Sequence, residues 1–276
     1  HFLRAGIAAA HLSLGRDEDA ATLFEAAIEG EPAPALGAVR RAQLSLALVR
    51  LGQLDKALEQ VNRAVAESAP YGFDGILAVR SNRAAVLVAL RRFEDAEADL
   101  LVLVELLERM RADTVPSDVM KRGFHDASQQ IFAGYIDLLG QQGKARESLE
   151  MAERARARAF LDLLATRAGD PARAEPARAD ELQRAASRLG STIVSYWVGA
   201  DTLSIWVVPA RGEVTLTRVP VHAARLAELV QQASGIRDGV APGTRSGLLV
   251  TDRALRAPWR ELEKVLVAPI AARLPS

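Results

Sequence analysis

Leu14-Gly-Arg-Asp-Glu-Asp-Ala20 divides two runs of residues with helical apolar spacing, and it recurs as Leu51-Gly-Gln-Leu-Asp-Lys-Ala57 and Leu90-Arg-Arg-Phe-Glu-Asp-Ala96. The closing alanines stand 37 and then 39 residues apart. A fixed period of this length marks a supersecondary unit that stacks on copies of itself. The expectation is therefore a row of helical hairpins.

Working outward from the first turn, Ala8, Gly15, Ala20, Phe24, Ala27 and Pro32 each have a mechanical reason to be where they are. Ala8, Ala20 and Ala27 are small where two helix backbones must approach, and Gly15 can take the left-handed conformation that closes a helix. Phe24 fills the space between neighbouring hairpins, and Pro32 is expected to end the second helix. The matching positions are Ser45, Gly52, Ala57, Val61 and Ala64, with Pro70 beyond the helix, and then Ala84, Arg91, Ala96, Leu100 and Leu103. Arg91 in place of glycine and Leu103 in place of a small residue predict a longer, splayed second helix running through Leu107. A fourth hairpin is expected around Gly143, with Ile136 and Leu139 before it and Ser148, Ala152 and Ala155 after it. It follows a break at Asp113-Thr-Val-Pro-Ser117.

These spacings resemble the tetratricopeptide (TPR) unit. The resemblance implies an α-solenoid over residues 1–165 whose first helices line a concave groove for a protein or peptide ligand. By position in the repeat, the groove would be lined by Ala5, Ala9, Leu12, Ala42, Leu46, Val49, Arg50, Ser81, Ala85 and Val88. The lining is small and apolar, suited to a helix or an extended segment held by hydrophobic contact. Arg50 is the one charge in it, and the favoured reading is that it snorkels to solvent.

The 276 residues include 35 Lys plus Arg and 35 Asp plus Glu, so no excess charge favours nucleic acid or an anionic membrane. No apolar segment reaches membrane-spanning length before a charge interrupts it. There is no cysteine, which excludes disulfides, thiolate metal sites and a cysteine nucleophile within these residues. The four histidines have no metal-ligand spacing, and Gly140-Gln-Gln-Gly143-Lys144 and Gly243-Thr-Arg-Ser-Gly247 match neither a phosphate loop nor a nucleophile elbow. No metal, cofactor or small-molecule ligand is expected. Paired acids at Glu18 and Asp19, and at Glu94 and Asp95, read as helix-start charges. The expected location is cytoplasmic, and a start at His1-Phe2-Leu3 gives the expectation that the natural N-terminus lies upstream.

After residue 165 the pattern changes. Residues 166–180, with two prolines and mixed charge, read as a linker. A short helix at Glu181 to Leu189 is followed by alternating stretches over Ser191 to Val198, Thr202 to Val208 and Glu213 to Val219, which read as a three-stranded meander. Leu203, Ile205 and Val207 share one face of the middle strand and Ser204, Trp206 and Val208 the other, so cover is expected on both sides. Helices are expected at Val221 to Ser234 and Leu255 to Leu274, flanking a polar loop from Asp238 to Ser246. The fold class is thus mainly α, a TPR-like solenoid followed by a small α/β segment at 181–276.

Glu153-Arg-Ala-Arg-Ala-Arg-Ala-Phe-Leu-Asp-Leu-Leu164, the linker, the meander and Trp259-Arg-Glu-Leu-Glu-Lys-Val-Leu-Val-Ala-Pro-Ile270 together resemble the start of a CHAT domain, a caspase-like domain attached to TPR arrays. The resemblance implies an incomplete caspase-like half, whose His and Cys dyad would come after residue 276. Three functions remain open: a non-catalytic regulatory or substrate-capture arm, a fragment of an active cysteine peptidase, and a TPR adaptor with a small non-enzymatic α+β cap.

Overall fold

The computed structural model describes residues 2–68, 73–113, 118–165, 176–234 and 252–275. The chain forms two compact units, His1–Leu138 and Leu139–Ser276.

The first unit contains α1 (Phe2–Ser13), α2 (Asp17–Glu29), α3 (Pro34–Arg50), α4 (Leu54–Ser68), α5 (Phe73–Ala89), α6 (Phe93–Asp113) and most of α7 (Asp118–Gln141). Helix α1 packs on α2, α3 on α4 and α5 on α6, and each hairpin meets the next because α3 lies against α2 and α5, and α5 against α4. This is the nearest-neighbour packing of a helical-repeat stack.

The turns between paired helices are built alike. Gly15, Gly52 and Gly143 have φ of +70°, +72° and +74°, and Arg91 adopts the same left-handed backbone at +59°. In each turn the next amide reaches back five residues: Arg16 N to His11 O (2.9 Å), Gln53 N to Leu48 O (2.8 Å), Arg92 N to Leu87 O (2.8 Å) and Lys144 N to Leu139 O (3.0 Å). Those bonds satisfy carbonyls that the helix end leaves open. The acids Asp17 to Asp19, and Glu94 with Asp95, occupy the first turns of α2 and α6.

The small residues are buried as the spacing requires: Ala8, Ala20, Ala27, Ala57, Ala64 and Ala96 have no exposed surface, nor does Phe24 between them. Truncating a buried phenylalanine of this kind costs about 3–5 kcal/mol. Helix α6 runs past Leu107 to Asp113, as the bulkier third repeat predicts. Pro32 does not itself end α2, which stops at Glu29 with Gly30 as its cap; Pro34 instead opens α3 at a position where its missing N–H costs nothing. Pro70 and residues 114–117 lie outside the described residues.

The second unit comprises the last residues of α7, α8 (Ala145–Ala165), α9 (Ala179–Leu189), β1 (Ile193–Val198), β2 (Thr202–Val208), β3 (Thr215–Pro220), α10 (Ala223–Ser234), α11 (Asp252–Leu266) and a 3-10 segment, Ala268–Arg273. The strands form one antiparallel sheet in the order β1-β2-β3, with Ile205 opposite Tyr196 and Thr217. Every residue of β2 from Leu203 to Val208 is buried. Leu203, Ile205 and Val207 pack in one core with Leu226, Leu229 and Ala233 of α10, Leu262 of α11 and Ile270. Helix α9 packs on β1 and β2, and α8 on β3 and α9.

The expected helix from Leu255 to Leu274 divides, because Pro269 cannot donate the next helical hydrogen bond; Ile270 N bonds Val267 O instead (3.0 Å), a 3-10 contact. Helix α9 begins at Ala179, two residues before the expected start. Its Ala179 N–H donates to Glu150 Oε1 of α8 (3.0 Å), and Arg178 N donates to Glu181 Oε2 (2.9 Å). The linker residues 166–175 and the polar loop Asp238 to Ser246, with the serine of 243–247, lie outside the described residues.

Candidate protein-binding face

The groove positions fall on α1, α3 and α5, the first helices of three consecutive hairpins. Ala5, Ala9, Leu12, Leu46, Val49, Ser81 and Val88 are half-buried, while Ala85 and Arg50 are exposed. Ala9, Leu12 and Val49 pack against the core cluster below them while part of each side chain stays accessible. Ala42 is fully buried among the helices and offers no surface.

Arg50 is tied into the fold rather than simply solvated. Its Nη1 donates to the Leu12 carbonyl (2.6 Å) and lies 3.3 Å from Asp17 Oδ1. Leu12 is in the last turn of α1, where carbonyls lack helical partners, and Asp17 starts α2. One guanidinium therefore joins the second hairpin to both helices of the first.

Polar contacts cross the second and third hairpins. Arg41 of α3 donates to Gln60 Oε1 (3.2 Å) and Glu67 Oε2 (3.0 Å) of α4. One repeat later, Arg80 Nη1 donates to Asp99 Oδ1 of α6 (2.7 Å), and Arg83 binds both carboxylate oxygens (2.5 and 2.9 Å). Asp99 is almost wholly buried, so its charge is tolerable only because two arginines surround it. Glu31 and Arg40, both buried, pair at the α2–α3 corner; Arg40 also donates to the Ala27 carbonyl (3.0 Å), and Glu31 Oε1 accepts from Ala33 N (3.0 Å). The Arg41 and Asp99 contacts tie together the two helices of the second and third hairpins, and the Glu31–Arg40 pair joins the first hairpin to the second.

The spacing of small residues locates these helices but not the arginine clamps. A signal for them was available: Arg4, Arg41 and Arg80 recur at the same intervals as Ala20, Ala57 and Ala96. Asp99 and Gln60 likewise share one register in the partner helices.

In the fourth hairpin the position matching Leu12, Val49 and Val88 is Gly140. A Cβ there would come within 3.2 Å of Arg218 Cδ and 3.3 Å of Leu216 Cδ2, so β3 lies close against the chain at this glycine.

Among the described residues, His11 and His222 each stand beside a single carboxylate. His11 Nδ1 is 3.2 Å from Asp19 Oδ2 without a hydrogen bond, and His222 Nδ1 is 2.5 Å from Asp201 Oδ1 on an exposed corner before α10. Among the described residues no group of three His, Cys, Asp or Glu could hold a metal ion, and no helix is long and apolar enough to cross a membrane.

No family model matches the chain, and no curated protein does either. Among solved structures, a TPR-like protein from Chlorobium tepidum is similar at 23% identity over 47% of this chain and 90% of that one, with a TM-score of 0.35. A likeness at that level carries no argument, and the helical-repeat architecture stands on the turns and packing described above.

Proposed function

We infer that the chain is a protein-binding scaffold whose first helices receive a helical or extended segment of another protein. The observation that supports this is the half-buried row Leu12, Leu46, Val49 and Val88, with Ala5, Ala9 and Ser81 beside it, on three adjacent first helices. Rigid, small, partly exposed apolar side chains favour a side-chain-poor or amphipathic ligand, because little rotamer entropy is lost on contact.

The test is selection of peptides from a randomised 15-residue display library against the full chain. Selected peptides should lose at least about tenfold in affinity with Leu46→Lys or Val49→Lys, a loss of about 1.4 kcal/mol. Failure to enrich any peptide, or binding indifferent to both substitutions, contradicts the reading.

The meander, with α9 on one side and α10 and α11 on the other, favours a finer reading: the scaffold is the regulatory or substrate-capture arm of a CHAT-like protein, not itself catalytic. The coding sequence following Ser276 tests it. A further strand carrying His, with a Cys downstream, agrees with it, and their absence leaves the adaptor reading with an α+β cap.

A further inference from the structure

Gln43 on α3 and Asn82 on α5 occupy one register of the repeat, 39 residues apart like Ala57 and Ala96. Gln43 stands one turn before Leu46 and two before Arg50, so it borders the binding face, and Asn82 stands likewise before Ala85 and Ala89. Both side chains are half-buried, and among the described residues neither carboxamide pairs with another group of the chain. Their polar neighbours on these helices are all used. Arg41, Arg50, Arg80 and Arg83 are bound to acids, an amide or a carbonyl, and Ser45 Oγ donates to the Ala42 carbonyl (2.7 Å).

The same register holds Gly6 on α1 and Gly134 on α7, both exposed. A Cβ at Gly6 would meet nothing within 4 Å, and at Gly134 only Leu100 Cδ2 at 4.0 Å, so packing demands glycine at neither. Asparagine and glycine are both unfavourable inside a helix. The row Gly-Gln-Asn-Gly therefore weakens its own helices, and its carboxamides form no internal bond in return. A ligand's main chain would benefit from it, because glycine permits close approach and a carboxamide offers both a donor and an acceptor.

We propose that the binding face takes an extended segment of another protein and holds it by its main chain, with Gln43 and Asn82 each pairing with one peptide group, three residues apart. This rests on the reading of the first helices as a protein-binding face and commits that face to an extended ligand. A helical ligand has its main-chain N–H and C=O groups already bonded within the helix, so it does not satisfy the two carboxamides in this way. Helices α3 and α5 pack directly on each other, which places their axes about 8–10 Å apart. A polyproline II chain rises about 3.1 Å per residue and turns once in about three, so peptide groups three apart cross that distance and point the same way.

The test uses the full chain and a library-selected 15-residue peptide, N-methylated at one main-chain amide at a time. Against the wild type, methylation should weaken binding about three- to tenfold at two positions three residues apart. Against the double variant Gln43→Leu, Asn82→Leu those two losses disappear, while Leu46→Lys still weakens binding of the unmodified peptide. Losses that persist in the double variant, affinity for the unmodified peptide that the double variant leaves unchanged, or a helical circular dichroism signal from the bound peptide each overturn the proposal and leave the binding face standing. Indifference to Leu46→Lys as well, or no enriched peptide, overturns the binding face itself and this proposal with it.

Discussion

Arg91 takes the place of Gly52 one repeat later: both adopt left-handed backbone, φ +59° and +72°, and both close a first helix through the same five-residue return bond. A side chain in this conformation costs about 1–2 kcal/mol that glycine avoids, partly offset because glycine has more freedom to lose on folding. Arg91 also lies over the Phe93 ring at 5.7 Å, which returns some of the cost. The two sites should therefore respond asymmetrically. Gly52→Arg destabilises by about 1 kcal/mol, and Arg91→Gly changes stability by less than about 1 kcal/mol. Urea titration of both variants checks this, and a cheap Gly52→Arg contradicts the shared turn geometry.

Ala20 and Ala57 sit where helix backbones approach, whereas Ala85 is exposed on α5. Leucine at either buried position overpacks the contact and costs about 1–3 kcal/mol. Ala85→Leu stays within about 0.5 kcal/mol. Equal melting temperatures for all three variants would contradict the close approach.

Asp99 should matter far more than its repeat equivalent Gln60. Asp99→Asn removes the carboxylate that neutralises Arg80 and Arg83 and costs about 3 kcal/mol. Gln60→Ala forfeits one neutral acceptor and costs under about 1 kcal/mol. Chemical denaturation measures both, and similar costs would show that the burial of Asp99 does not strengthen its dependence on the arginines.

Helix α8 packs on β3 and supplies polar anchors to α9 and to the edge strand β1. Glu150 accepts from Ala179 N–H, Arg146 pairs with Asp180, and Arg156 Nη2 donates to the Tyr196 carbonyl of edge strand β1 (2.5 Å). A fragment of residues 145–276 should melt cooperatively, while 181–276 aggregates once β1 loses that guard. Equal behaviour of the two fragments in melting and light scattering contradicts the role given to α8.

Burial raises the pKa of Tyr196 above its ordinary value of 10.0, and its hydroxyl donates to the Leu266 carbonyl (3.0 Å). The folded chain thus holds this proton more tightly than the unfolded chain does. The resulting stability is complete below the unfolded pKa and is lost as pH rises through the folded one. Between about pH 9.5 and 11.5, Tm should fall further in the wild type than in Tyr196→Phe; parallel decline would contradict it.

The repeat was legible because each critical position is steric. A backbone contact accepts only a small residue, so Ala20, Ala57 and Ala96 announce themselves by interval alone. The middle strand was legible for a similar reason, since apolar residues on both faces of β2 demand two covering layers. The clamps were harder to read: Arg50 looks solvent-bound in the sequence, and only folding brings the Leu12 carbonyl within 2.6 Å. Asp99 gave no apolar signal, and its burial depends on arginines that resemble any charged helical surface. Ala42 keeps the groove spacing but sinks into the core, because neighbouring helices cover so short a side chain.

Photocrosslinking tests the binding face most directly. A benzophenone amino acid is placed at Leu46, on the first helix α3, or at Glu59, exposed on the second helix α4, and each protein is irradiated with a library-selected peptide. Crosslinking from position 46 and not from position 59 is the predicted result. Crosslinking from 59 alone, or equally from both, would contradict a ligand seated on the first helices.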